Sequence, residues 1–415
     1  MNVFCVDLGT SSLKAALVSS TGECLFFVRI KYTECLYPSK RYLSWITGFF
    51  PRILPPWEIA FRKALCILEH NPGNNGAPDG VIISGNGPSF VCLGKNRIKK
   101  VLFWNKKIPD KYKKKCGKSL FLPFILYLKS RYPVTFSKID TILGIPEYLV
   151  YTLTGCKATI LPESRYTGAY WTKEVLDKLK LKKELFPEFV SPGTKAGTFQ
   201  ANFNNKHYML PVYYGAPDFI SAMLGTGSII PGKVFDRAGT SEGINLVIPC
   251  PPEKTEGLRL LPSVVPGLWN LSYLIPDSGS KFAKLFKTRK YKNITPEDVI
   301  KTVLTKRNHG YNEAEKITRE ILAELKKGIT LLEKASEIKI KEMIVTGGQG
   351  ENPFWNQLKA DFLNINIIEP TITEGELLGD AVLFFVSAGL YSNAEQGILN
   401  LFKIKKIYIP GKPEI

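Results

Sequence analysis

The chain has 415 residues, 44% of them hydrophobic, 12% aromatic and 22% charged, which excludes a disordered protein and exceeds one typical core, so two domains are expected. Lys plus Arg number 56 against 37 Asp plus Glu, a formal charge of +19, which admits an anionic partner without choosing one. The longest clean apolar run, Ala381 to Leu390, reaches about half a membrane span, and Asp7 interrupts the first apolar stretch with no basic segment before it, so a cytoplasmic chain without a signal peptide is expected.

In chain order, Asn2 to Val6 reads as a β-strand, Asp7-Leu-Gly-Thr-Ser-Ser as a tight polar turn, and Leu13 to Ser19 and Glu23 to Tyr32 as two further strands. Trp57 to Glu69 has helical periodicity. Gly80 to Ser84 is a buried strand, followed by Gly85-Asn86-Gly87-Pro88 and a strand from Ser89 to Leu93; Leu120 to Ser130 and Glu147 to Thr154 read as helices. Tyr208 to Tyr214 is a strand that ends at Gly215-Ala216-Pro217-Asp218, with a helix from Phe219 to Gly225.

The pattern then begins again. Lys233 to Arg237, Ala238-Gly239-Thr240-Ser241 and Gly243 to Ile248 repeat the strand, Gly-Thr-Ser turn and strand of the N-terminus at an offset of 230 residues. An internal duplication follows, with domains of 1–229 and 230–415. Beyond a proline-rich stretch, Pro249 to Pro266, a long amphipathic helix covers Asn312 to Ser336, and a strand from Glu342 to Thr346 enters Gly347-Gly348-Gln349-Gly350. Helices follow over Pro353 to Leu363 and Leu377 to Ala388.

Eight cysteines, none within four residues of another, read as buried or half-buried free thiols, and His70, His207 and His309 have no partner at metal-ligand spacing, so no zinc site is expected. Lys95 to Lys118 holds eleven basic residues and one acid, Asp110. A solvated lysine-rich surface and a nucleic-acid footprint both account for that run.

Four segments carry chemistry. In the first turn the Gly9 backbone can approach an anion, Thr10, Ser11 and Ser12 can donate to phosphate oxygens, Lys14 adds a point charge, and Asp7 can hold Mg²⁺ through water. Asp218, at a strand end, suits a general base that takes a hydroxyl proton, and equally suits a helix N-cap. Gly239-Thr240 mirrors the first turn, and Gly347-Gly348 through Asn352 offers a flat surface for a purine.

Together and in this order, these segments resemble the FGGY carbohydrate kinases of the actin, Hsp70 and sugar-kinase superfamily, over nearly the whole chain. Ile83-Ser-Gly-Asn-Gly and Trp104 look like the family's sugar-side strand and turn, Ile145 through Gly155 its Leu-Thr-Gly segment, and Gly215-Ala-Pro-Asp218 its catalytic-aspartate segment. Gly347 through Trp355 with Ala360-Asp361 look like its adenine-side motif, and Leu378-Gly-Asp-Ala381 and Tyr408-Ile-Pro410 its closing segments. The resemblance implies an α/β fold of two actin-like (ribonuclease H-like) domains with an interdomain active-site cleft. It implies ATP and Mg²⁺, with Thr10, Ser11, Ser12 and Lys14 on the phosphates, Asp7 serving the metal, Asp218 as base, and Gly239 and Thr240 on the transferred phosphoryl group. Gly347, Gly348 and Asn352 would border the adenine, and Asn86, Gly87, Trp104, Asp218 and Phe219 the acceptor.

This sequence departs from the family on the acceptor side. Asn86 stands where Gln is common, Gly87-Pro88 replaces the Arg-Glu of glycerol kinases and the Met-His of xylulokinases, Phe219 stands where many members are polar, and Gly243 where glycerol kinases place an aromatic residue. The expectation is a kinase for a small-molecule sugar or polyol, xylulokinase-like rather than glycerol-kinase-like, with no specific nucleic acid, no membrane, and a homodimer compatible with the sequence. A catalytically inactive nucleotide- and ligand-binding member of the fold, and a nucleic-acid-binding protein, stand as alternatives.

Overall fold

The structure is a computed structural model and describes residues 1–35, 55–71, 76–95, 97–203, 205–239, 241–288, 295, 297–298, 300 and 312–411. Two compact units divide it: Met1–Ser221 with Gly379–Gly397, and Ala222–Leu378 with Ile398–Ile415. The sequence places the boundary near residue 230; in the structure it falls inside a helix, and a stretch near the C-terminus returns to the first unit.

In the first unit, β1 (Asn2–Leu8), β2 (Ser12–Ser19) and β3 (Cys24–Lys31) form an antiparallel meander, because each apolar run is closed by a turn too short for a crossover. The other edge of β1 pairs in parallel with β4 (Gly80–Gly85), whose six residues are all buried, as expected of a strand covered on both faces. Helix α1 (Pro56–Glu69) packs Trp57, Phe61 and Leu68 into this core. A three-stranded layer follows, built from β5 (Phe90–Gly94), β6 (Arg97–Leu102) and β7 (Thr141–Gly144), with α2 (Leu122–Arg131) filling its own smaller core. Helix α3 (Ile145–Thr154) starts two residues earlier than its periodicity predicts, since Pro146 fits the first turn and needs no donor there. The short strands β8 (Thr159–Ile160) and β9 (Phe189–Val190) pair in parallel. Next come β10 (Lys195–Phe203) and β11 (Lys206–Pro217), the second of which lies parallel to β4 and gives the sheet order β10-β11-β4-β1-β2-β3.

Helix α4 (Asp218–Gly225) leads out of β11. In the second unit, β12 (Val234–Ala238) and β13 (Glu242–Ile248) form the second hairpin, extended by β14 (Arg259–Pro262) and β15 (Trp269–Ile275). Helix α5 (Ser278–Leu285) and the long α6 (Asn312–Ser336) follow. On the other side of β12 lie β16 (Glu342–Thr346) and β17 (Asn366–Pro370), both parallel, with α7 (Pro353–Leu363) between them; α8 (Gly375–Ser387), α9 (Ala394–Leu401) and the edge strand β18 (Ile404–Tyr408) complete the chain. The order β15-β13-β12-β16-β17 repeats β3-β2-β1-β4-β11, with the same parallel and antiparallel relations. The Gly-Thr-Ser repeat in the sequence therefore reflects a repeat of topology.

One reading changes. All eight cysteines are free thiols, but Cys24, Cys66, Cys156 and Cys250 are exposed rather than sheltered; Cys24, for example, lies on the open face of the edge strand β3. Trp104, expected beside the acceptor, is 47% exposed. Among the described residues no helix is long and apolar enough to cross a membrane.

Candidate active site

The first turn is set by its strands. Asp7 faces Lys14 across the β1–β2 ladder, and Gly9 N–H donates to Ser12 O at 3.0 Å, which closes the loop over Thr10 and Ser11. Ser12 is already the first residue of β2. The Asp7 carboxylate is 2% exposed, and Lys14 Nζ stands 3.7 Å from its Oδ2. Burial, then the nearby Asp7 charge, push the Tyr32 phenol far up, so it stays protonated beside that carboxylate.

Thr10 is tied to residues far along the chain. Asn86 follows β4, and its backbone N–H donates to Leu8 O at 3.1 Å, continuing the parallel pairing by one residue. Its side-chain Nδ2 then reaches Thr10 Oγ1 at 2.6 Å. Trp104 follows β6; its backbone N–H donates to Ser89 Oγ at 3.1 Å and its indole Nε1 to Thr10 Oγ1 at 3.1 Å. Thr10, expected on the phosphates, and Asn86 and Trp104, expected on the acceptor, are thus one hydrogen-bonded group.

Below Asn86 and Gly87 is a cavity of about 30 Å³, walled also by Ser89, Glu147, Tyr170 and Pro217. On a measure where one water needs about 10–15 Å³, this admits a group the size of a hydroxymethyl. Glu147 is buried; its Oε1 accepts from Ile160 N at 3.1 Å, and desolvation raises its carboxyl to about 7 against its backbone donors.

Asp218 follows Pro217, which lines this cavity. The regular pairing of β11 with β4 breaks between Tyr214 and Pro217, where Gly215 approaches so closely that a Cβ would lie 2.7 Å from Ile83 O. That irregularity delivers Asp218 as the first residue of α4, half-buried, with its Oδ1 accepting from Phe219 N at 2.6 Å. Base and cap are compatible roles, since a carboxylate has lone pairs to spare. Phe219 itself is half-buried on the same turn.

In the second unit, Gly239 N–H donates to Ser241 O at 2.9 Å, repeating the bond that closes the first turn. Thr240 lies outside the described residues. Gly347, at φ +80°, opens the turn after β16, and Gln349 Nε2 donates to Gly239 O at 2.8 Å, so the glycine pair Gly347-Gly348 and the hairpin turn form one surface. Asn352 caps α7 through its Oδ1, which accepts from Phe354 N and Trp355 N at 3.0 Å each. Its amide, and not its oxygen, is what it has left for a ligand.

Sequence reasoning missed two buried ionic groups. Asp380 accepts from Ser84 Oγ at 2.5 Å and Ser221 Oγ at 2.8 Å, joining β4, α4 and α8. Lys359 of α7 pairs with Asp236 and Glu242, which flank the second turn. The Lys95 to Lys118 run is surface, with Lys106 and Lys100 each 4.8 Å from the ring centres of Tyr127 and Tyr132.

Among the described residues no three His, Cys, Asp or Glu side chains gather to hold a metal. Asp7 fits the lighter demand of Mg²⁺, which takes a carboxylate, water and phosphate. A Cβ on Gly9 would lie 3.0 Å from Ser12 O and 3.9 Å from Asp7 Oδ2, so the backbone there passes close to the carboxylate.

Comparisons with known proteins converge on one family. Residues 316–388 match the model of the C-terminal domain of the FGGY family of carbohydrate kinases. The xylulose kinase of Lactococcus lactis is 22% identical over 94% of this chain and 88% of its own, and the L-fuculokinase of Haemophilus influenzae is 38% identical over 17% of this chain and 15% of its own. A ligand-bound xylulose kinase from Lactobacillus acidophilus superposes with a TM-score of 0.76 at 18% identity, covering 99% of this chain and 94% of that one. Plasmodium falciparum glycerol kinase with ADP gives 0.72 at 14% identity, covering 99% and 94%. With the repeated sheet topology and paired Gly-Thr-Ser turns, these likenesses identify a two-domain actin-like fold, in a chain similar to the FGGY carbohydrate kinases and matching their C-terminal domain over residues 316–388.

Proposed function

We propose that this protein is an ATP-dependent carbohydrate kinase that transfers the terminal phosphoryl group of ATP to a hydroxyl of a sugar or polyol. The observation that supports the reading best is the hydrogen-bonded group of Thr10, Asn86 and Trp104 beside a cavity lined by Asn86, Gly87 and Pro217, the residue before Asp218. The acceptor is of the ketose type rather than glycerol: relatives aligned over 91–94% of the chain are named xylulose kinases, whereas the glycerol kinases from Saccharolobus islandicus align over 68%.

The acceptor hydroxyl enters the cavity and passes its proton to Asp218 as its oxygen attacks the γ-phosphorus; the bond from that phosphorus to the bridging oxygen breaks, and ADP leaves. Thr10, Ser11, Ser12 and Lys14 donate to the phosphates, and Gly239 with Thr240 holds the phosphoryl group. Gly347, Gly348 and the Asn352 amide border the adenine. Asp7 would hold Mg²⁺, which when bound would supply charge neutralisation to the phosphates. Asn86, Gly87, Trp104 and Phe219 border the acceptor. The site of action is the cytoplasm, where ATP is supplied.

An ADP-release assay over a panel of ketoses, aldoses and polyols tests this. Release with at least one acceptor, abolished in Asp218→Asn while nucleotide binding persists, supports it. Nucleotide binding without transfer to any acceptor overturns it in favour of a non-catalytic sensor of the same fold.

A further inference from the structure

A hydroxyl has two lone pairs and one proton. At Thr10 both lone pairs are engaged, by Asn86 Nδ2 at 2.6 Å and Trp104 Nε1 at 3.1 Å. The indole nitrogen can only donate, so the direction of that bond follows from chemistry. What remains to Thr10 is its proton. The side chain therefore cannot coordinate a cation, and it can donate to an anion.

The arrangement is held from three segments. Thr10 sits in the turn closed by Gly9 and Ser12, Asn86 is fastened to Leu8 O, and Trp104 to Ser89 Oγ. All three side chains are on the accessible surface of the site, with Trp104 47% exposed. An exposed hydrogen bond contributes little to folding, so two converging on one hydroxyl are better accounted for by what that hydroxyl presents.

We propose that Asn86 and Trp104 are positioning residues for the nucleotide, acting through Thr10: they hold its hydroxyl as an obligate donor to an oxygen of the terminal phosphoryl group. The proposal rests on the kinase reading above and deepens it. The acceptor-side residues then select for the triphosphate before any acceptor arrives, and the site discriminates ATP from ADP through a residue that touches neither adenine nor metal.

Titration calorimetry with MgADP and with the magnesium complex of the non-hydrolysable triphosphate AMP-PNP, without acceptor, tests this. Thr10→Val lowers AMP-PNP affinity about tenfold to a hundredfold, the effect of one hydrogen bond to a charged group, and leaves ADP affinity unchanged. Thr10→Ser retains the discrimination. Trp104→Phe, which keeps an aromatic ring and removes the N–H, and Asn86→Ala each lower AMP-PNP affinity severalfold, and neither has any effect in the Thr10→Val background. Equal effects of Trp104→Phe or Asn86→Ala in both backgrounds, or equal losses for ADP and AMP-PNP, overturn the proposal. A wild type that binds both nucleotides while Thr10→Val changes neither overturns this proposal alone; a wild type that binds neither overturns the kinase reading with it.

Discussion

Lys359 Nζ lies 2.6 Å from Glu242 Oε1 in the interior of the second unit, and the same ammonium group also bonds the Asp236 carboxylate. All three side chains are 0% exposed. Two carboxylates share one cation, so the group is neutral when it retains one additional proton. Desolvation and the neighbouring Glu242 push the Asp236 carboxyl well above the carboxylate range, while Asp236 and Glu242 hold the Lys359 ammonium up against its own desolvation. Because Asp236 and Glu242 stand on the two strands that flank Gly239 and Ser241, the lysine clamps the base of the second turn.

Lys359→Met therefore leaves two buried carboxylates facing each other, and about 3–5 kcal/mol of stability is expected to be lost. Combining it with Asp236→Asn and Glu242→Gln should restore most of that loss, because no uncompensated charge remains. Urea unfolding of the single and triple variants checks this; a triple variant no more stable than the single would show that packing, not charge, is what Lys359 supplies.

Glu147 gives a pH dependence of definite sign. Its carboxyl rises from 4.5 to about 7 on folding, through desolvation. A raised acid favours the folded state fully below the unfolded value, and that contribution fades as pH rises through the folded one, amounting to about 3 kcal/mol. Thermal unfolding from pH 5 to pH 8 should show stability falling across this window, with a shallower fall in Glu147→Gln. Parallel profiles would place the titrating group elsewhere.

Asp380 accepts hydrogen bonds from Ser84 and Ser221 with all three groups buried. Asp380→Ala removes the acceptor of Ser221 and leaves Ser84 only the Val6 carbonyl at 3.3 Å, and should cost about 2–5 kcal/mol, much of it recovered when Ser84→Ala and Ser221→Ala are added. Next to it, a Cβ at Gly379 would overlap the Ser221 carbonyl, so α8 and α4 touch backbone to backbone. Gly379→Ala should force the helices apart and destabilise by about 1–3 kcal/mol or more, measured in the same denaturant series.

Thr240→Val bears on transfer rather than binding. If its hydroxyl holds the moving phosphoryl group, kcat should fall about a hundredfold or more with nucleotide affinity little changed. Equal losses in the two, by steady-state kinetics and calorimetry, would assign it to ground-state binding.

Much of the fold was legible because it is local. The strand runs flanking Asp7 and Gly239, the helix over Asn312–Ser336 and the strand into Gly347 each carry their own period and their own turn chemistry. Strands β8 and β9, two residues each, and the edge strand β18, alternating in neither charge nor hydropathy, carried too little pattern to read. Within the candidate site, Asp7, Thr10 and Asp218 could be named because each stands beside a strand end in a recognisable turn. Asp236, Lys359 and Asp380 could not, because a charged residue in an apolar run looks the same whether its partner is water or another buried charge.

The sequence by itself determined the two strand–turn–strand repeats, the glycine and hydroxyl residues of their turns and the carboxylate at the end of β11. Tertiary structure decided how they are joined. Asn86 and Trp104 lie 76 and 94 residues from Thr10 along the chain, and they meet its hydroxyl because β4 lies parallel to β1 and the loop after β6 is anchored on Ser89. Hydrogen bonds of that reach depend on register and direction between distant segments. Composition and periodicity record only what each segment wants to bury.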